Sequence, residues 1–198
     1  SPLNRHNNVK PRIYIFIYFF IIRLANPKLL QVHAGTNFLN IKGDVYDIAS
    51  FTTHYDYDPT RFINDIALIY LNRPLTYNTL MQPINLQTTD EILDNMTCTL
   101  SGWGTTKLGG EAPNDLQEID LKIYPQQKCE AVNKNVRDSH ICTLTKEGEG
   151  VCHGDSGGPL VCNGFQVGIV SFGTPCAVGK PDVYTRVSSF AKWISNNL

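Results

Sequence analysis

A chain of 198 residues with 17 basic and 18 acidic side chains, formally −1 at pH 7, can bury one good core or two small ones, and its charge exerts no pull on nucleic acid or an anionic membrane. No apolar run approaches the roughly 20 residues that a membrane-spanning helix needs. Charged residues make up only 18%, and 15 Gly with 11 Pro suit short strands joined by many turns.

Residues 1–26 do not read like the remainder. Ile13 to Ile22 is a solid apolar run behind Arg5, Lys10 and Arg12. Three readings stand for it. A basic flank before an apolar stretch resembles a secretory signal peptide, although Arg23-Leu24-Ala25 is a poor cleavage site and no initiating Met precedes it. The run also fits a buried strand. Its Ile, Tyr, Phe, Asn and Lys content fits translated AT-rich non-coding sequence, foreign to the fold.

From Leu30 the pattern becomes regular. Leu30 to Gly35 reads as a strand entering a turn, and Asp44 to Phe51 as a second strand. His54 to Pro59 is a polar, turn-rich loop in which His54 is expected to be solvated. Phe62 to Leu71 is an apolar strand interrupted by one acid, Asp65, which is costly to bury without a partner. Pro74 to Asp94 reads as a connection between two halves. Thr97 to Leu100, Gln117 to Ile123 and Phe165 to Phe172 are further strands, and Phe190, Trp193, Ile194 and Leu198 mark an amphipathic helix from Ser188 onward. There is no internal repeat.

All six cysteines lie between Cys98 and Cys176, without Cys-x-x-Cys or His-x-x-x-His spacing, so a disulfide framework is expected and a metal site is not. Spacing alone leaves fifteen pairings open. An oxidising, extracellular destination follows, and the sequon Asn95-Met96-Thr97 agrees with it.

The chemistry gathers between Glu149 and Val161, where four glycines and Pro159 surround one hydroxyl, Ser156. Such a turn can expose Oγ while the amides of Gly154 and Ser156 point into one small space, as an oxyanion requires. Gly154-Asp155-Ser156-Gly157-Gly158-Pro159 resembles the nucleophile signature of the chymotrypsin/trypsin family of serine endopeptidases, Asn64-Asp65-Ile66-Ala67-Leu68 its acid motif, and Ser101-Gly102-Trp103-Gly104 another landmark.

The resemblance implies an all-β fold of two antiparallel six-stranded barrels: a partial one over 27–90 that lacks its opening strands, and a second over 91–198 ending in the helix, with 1–26 outside the match. It implies peptide-bond hydrolysis through an acyl-enzyme, with Ser156 as nucleophile, Asp65 as orienting acid, and the Gly154 and Ser156 amides as the oxyanion hole. It implies the pairs Cys98–Cys162, Cys129–Cys142 and Cys152–Cys176. It also implies a substrate pocket floored by Gly150, faced by Asp182, rimmed by His153, and edged by the strand Ser171-Phe172-Gly173. A Gly floor facing an acid resembles the broad-specificity collagenolytic branch of the family known from arthropods; an exposed turn acid at Asp182 is the alternative.

Two family features are missing from the sequence. The Thr-Ala-Ala-His-Cys motif is expected near residues 15–25, where no histidine stands. The Ile-Val-Gly-Gly start, whose amine pairs with the acid before the serine, is absent too, which leaves Asp155 to turn elsewhere. His6, His33, His54, His140 and His153 each have a non-catalytic explanation. The chain is therefore expected to be close to inert as written, either as a secreted endopeptidase whose opening segment is lost or scrambled, or as a non-catalytic homologue that binds. Expected partners are protein or peptide substrates and protein protease inhibitors, with no cofactor, no nucleic acid, no membrane, and a monomeric chain.

Overall fold

The computed structural model describes residues 26–198, apart from Ile92. Ten strands and two short helices follow one another in chain order. The strands are β1 (Gln31–Ala34), β2 (Asp44–Thr53), β3 (Ala67–Leu71), β4 (Asn85–Leu86), β5 (Thr97–Gly102), β6 (Gln117–Tyr124), β7 (His140–Thr143), β8 (Pro159–Cys162), β9 (Phe165–Gly173) and β10 (Asp182–Arg186). Helix α1 (Gln126–Val132) lies between β6 and β7, and α2 (Ala191–Asn196) continues a 3₁₀ turn over Val187–Phe190.

Strands β5 to β10 form a closed barrel. The ladder runs β10-β7-β6-β5-β8-β9, and β9 pairs back onto β10. All pairings within that ring are antiparallel, so hydrogen bonding is satisfied around it without an exposed edge. β4 is added outside as a parallel neighbour of β9. Leu100, Leu121, Ile141, Leu160, Val167 and Tyr184 point inward and pack as the main core. Gly168 is required there, because a Cβ would press on Tyr184 Cβ at 3.0 Å and on Leu160 and Ile141 at 3.3 Å.

The described residues of the first half form a three-stranded antiparallel sheet, β1-β2-β3, covered by Val32, Tyr46, Ile48, Ile69, Leu71 and Met81. Ile66 and Leu68 pack on the opposite side with Phe190 and Ile194, which joins this sheet to the C-terminal helix. Tyr70 Oη completes the link by donating to the Asn197 carbonyl at 2.6 Å. Together the barrel and the sheet match the chymotrypsin-like two-barrel architecture.

All three disulfides expected from the family pattern are present: Cys98–Cys162, Cys129–Cys142 and Cys152–Cys176. Strands β4, β7, β8 and β10 lie outside the strands expected from the sequence, and two further differences have a local cause. The expected strand from Phe62 begins only at Ala67, because Phe62 and Asn64 adopt positive φ (55° and 56°), which a strand cannot accommodate. Helix α1, two turns long with only Cys129 buried, gave no periodic signal to read.

Candidate active site

Ser156 stands exposed on the turn between Val151 and β8. The turn is pinned from both sides by main-chain bonds. Gly157 N donates to the Val170 carbonyl at 2.9 Å, Val170 N to the Gly158 carbonyl at 3.0 Å, and Gly158 N to the Asp155 carbonyl at 2.9 Å. Gly154 has φ +102°, and a Cβ there would meet Gly104 Cα at 3.1 Å, so only glycine lets the loop approach the 102–104 segment this closely.

The Asp155 carboxylate lies in a socket made by two glycines, Gly102 and Gly104. Oδ1 accepts from Gly104 N at 2.9 Å and Oδ2 from Cys152 N at 3.0 Å. A Cβ on Gly102 or Gly104 would collide with this carboxylate. Among the described residues no cationic side chain lies within 4.0 Å of it, so two backbone amides meet its charge there.

Asp65 sits at the end of the irregular segment before β3 and is 3% exposed. Its Oδ2 accepts from Ser171 Oγ at 2.6 Å, and its carbonyl accepts from Thr185 Oγ1 at 2.8 Å. Ser171 can reach because β9 bulges at this point: Phe172 opposes Val183 and Val170 opposes Tyr184, leaving Ser171 unpaired on β10. The acid of the first half is thus held by two hydroxyls of the barrel.

Ser171 also lines a cavity of about 440 Å³, with Ser156, His153, Phe172, Gly173 and Asp182 among its walls. One barrel strand therefore touches both the buried acid and the space beside the exposed hydroxyl. The Cys152–Cys176 bridge ties the segment before Ser156 to the loop that follows β9. A larger cavity, about 840 Å³ between the 84–96 segment and α2, shares no lining residue with this one.

Asp182 settles the choice left open by sequence: it is 4% exposed, not a surface turn acid. Its Oδ2 accepts from Val151 N at 2.9 Å. Gly150 matters through what it lacks, because a Cβ there would collide with Asp182 Oδ2. The carboxylate occupies that space, so Asp182, not Gly150, lines the base of the cavity. Burial pushes its pKa up to about 7; the Val151 amide opposes the shift and the charge of Asp155 adds to it.

None of the four described histidines is hydrogen-bonded to Ser156 or Asp65. His33 projects from β1 to solvent. His54 is partly covered, not fully solvated: it stacks on Tyr55 at 4.6 Å and packs against Phe190 and Trp193 at 5.4 and 5.3 Å, while its Nδ1 accepts from Asp56 N. That burial lowers its pKa, with Asp56 opposing. His140 is 1% exposed; Nδ1 accepts from Arg137 N at 3.0 Å and Nε2 donates to the Phe62 carbonyl at 3.1 Å. Both bonds require the neutral ring, and burial lowers its pKa in agreement. It braces the segment leading to Asp65. His153 lies exposed on the cavity rim. His6 and the 15–25 stretch lie outside the described residues.

The family model described as Trypsin matches residues 24–194. The chain belongs to the trypsin family of serine proteases. It is 48% identical over 168 residues to Chymotrypsin-2 of Vespa crabro, covering 85% of this chain and 77% of that protein. It is also 37% identical to Trypsin alpha-4 of Lucilia cuprina, over 87% of this chain and 69% of that protein, and 36% identical to a trypsin of Phaedon cochleariae, over 84% and 67%.

Sequence reasoning missed Thr185 and Phe62 as parts of this trypsin-family site. Thr185 holds the Asp65 backbone, and Phe62 stacks on Phe172 at 5.3 Å and lines the cavity. Phe62 sits three residues before Asp65, but its aromatic side chain reads as core until the positive φ that turns it outward is known. Thr185 carries no local signal at all, since its role depends on a contact 120 residues away.

Proposed function

We propose that this chain is a serine endopeptidase framework in which Ser156 is the nucleophile, Asp65 the orienting acid and the Gly154 and Ser156 amides the oxyanion cradle, with no imidazole among the described residues to join the two side chains. The observation that carries this reading is Ser171, which donates to Asp65 Oδ2 at 2.6 Å and lines the cavity that Ser156 faces. A serine hydroxyl is a weak nucleophile until a base takes its proton. Removing the histidine of such a triad costs about 10⁶ in turnover. The chain as written is therefore inert toward peptide bonds while keeping its substrate cavity, in an extracellular setting that suits three disulfides.

Substrate backbone pairs with Ser171-Phe172-Gly173 as an added strand. The cavity takes large apolar side chains against Val151, Val170 and Phe172, and takes Lys or Arg when Asp182 is ionised. The missing base also favours a second reading, a non-catalytic homologue that binds peptides or inhibitors through the same cavity.

A chimera separates the two. Residues 1–26 are replaced by an opening that carries Ile-Val-Gly-Gly and Ala-Ala-His-Cys, the motifs used by the family. Peptide hydrolysis that appears in the chimera and vanishes with Ser156→Ala supports the endopeptidase framework. A folded chimera that binds p-aminobenzamidine yet hydrolyses nothing rejects it in favour of the binding reading.

A further inference from the structure

Asn95-Met96-Thr97 is the single Asn-x-Ser/Thr sequon of the chain, and the protease site makes no use of it. Leu93 to Met96 form a turn closed by Met96 N donating to the Leu93 carbonyl at 2.9 Å, with Asn95 at φ 62°, a conformation asparagine tolerates and most side chains do not. The main chain of the sequon is occupied: Asn95 N donates to the Ile123 carbonyl at 3.0 Å, and the Met96 carbonyl accepts from Ile123 N at 2.9 Å. The side chains then alternate. Met96 turns in, packs against the barrel core and accepts from Asn163 Nδ2, whereas Asn95 and Thr97 are exposed. Neither Asn95 nor Thr97 spends its side chain on a hydrogen bond among the described residues. The amide to be modified and the hydroxyl that marks it are both free to be read. No cysteine is left unpaired among the described residues, which is the state a chain reaches in the oxidising compartment where glycans are added.

We propose that Asn95 carries an N-linked oligosaccharide in the folded protein. Asn95 Nδ2 attacks the anomeric carbon of a lipid-linked oligosaccharide pyrophosphate. The N–C bond forms, the bond from that carbon to the pyrophosphate oxygen breaks, the lipid pyrophosphate leaves with the electron pair, and the amide proton passes to a base of the transferase. β5 separates the glycan from the chemistry: Thr97 opens the strand, and Gly102 closes it against Asp155. Six residues at about 3.3 Å each set the sugar roughly 20 Å along the barrel from the Ser156 turn, so it leaves the cleft open.

The test is translation of the full chain behind a cleavable signal sequence into rough microsomes, scoring only protease-protected product. The expected result is one band that endoglycosidase H collapses to a faster one. Asn95→Gln and Thr97→Ala should each give only the faster band, and Thr97→Ser should restore the slower one. Protected wild-type chain that endoglycosidase H leaves unchanged, or a shift that survives Asn95→Gln, overturns the assignment. The readout is independent of Ser156, so it stands or falls apart from the protease reading.

Discussion

The closed barrel and the three-stranded sheet solve the same problem with unequal means. The barrel has no free edge within its ring, contains all three disulfides, and fixes Ser156, Asp155 and Asp182 through main-chain bonds that nearby glycines make possible. The sheet has no disulfide, and the acid it contributes is tied to the barrel through Ser171, Thr185 and the His140–Phe62 bond. The difference teaches that the nucleophile side of the site is self-supporting, whereas the acid side depends on docking.

The largest expected effect tests the self-supporting half. Cys98 and Cys162 close a separation of 64 residues between β5 and β8. Replacing both by Ala should lower unfolding stability by about 4 kcal/mol in urea titration, on the chain-entropy model. A loss below about 1 kcal/mol would assign the barrel's stability to its closed hydrogen-bonded ring and not to its cross-links.

Ser171→Ala probes the dependent half. A buried hydrogen bond to a carboxylate is worth about 2 kcal/mol. Hydrogen exchange should speed up across Ile66 to Leu71 while β5 to β8 keep their protection. Equal loss in both regions would show that the two halves open as one unit, and the contrast between them would fail.

The effect smallest at each step is a slope, spread over several pH units. Asp182 titrates near 7 in the fold, above the roughly 3.9 of an unfolded aspartate, so the native state holds a proton that the unfolded chain has released. Stability from this group is complete below about pH 4 and falls as pH rises toward 7, by at most about 1.4 kcal/mol per pH unit. Asp182→Asn should remove that decline in thermal melts taken across the window. An unchanged slope would place the titration elsewhere and leave the barrel's charge balance differently explained.

Much of this was legible in the sequence, for physical reasons that differ by residue. The Ser156 turn was readable because close backbone approach demands glycine at particular positions, and Gly154 and Gly104 show the contact that makes them necessary. Cysteine positions became pairings only through the family pattern, since spacing leaves the connectivity undetermined. Asp182 could be placed but not its burial, which depends on the empty Cβ position of Gly150, 32 residues earlier. The partial cover of His54 was not legible, because a polar loop sequence says nothing of the segment from residue 190 that packs against it. The bulge that aims Ser171 at Asp65 has no sequence signature at all; it is a register event between β9 and β10.

The proposal that no base links Ser156 to Asp65 is tested most directly by the rate at which a fluorophosphonate probe labels the chain. Labelling of the wild-type chain should be no faster than that of Ser156→Ala at neutral pH. Rapid, stoichiometric labelling that Ser156→Ala abolishes would mean that a base reaches the hydroxyl after all.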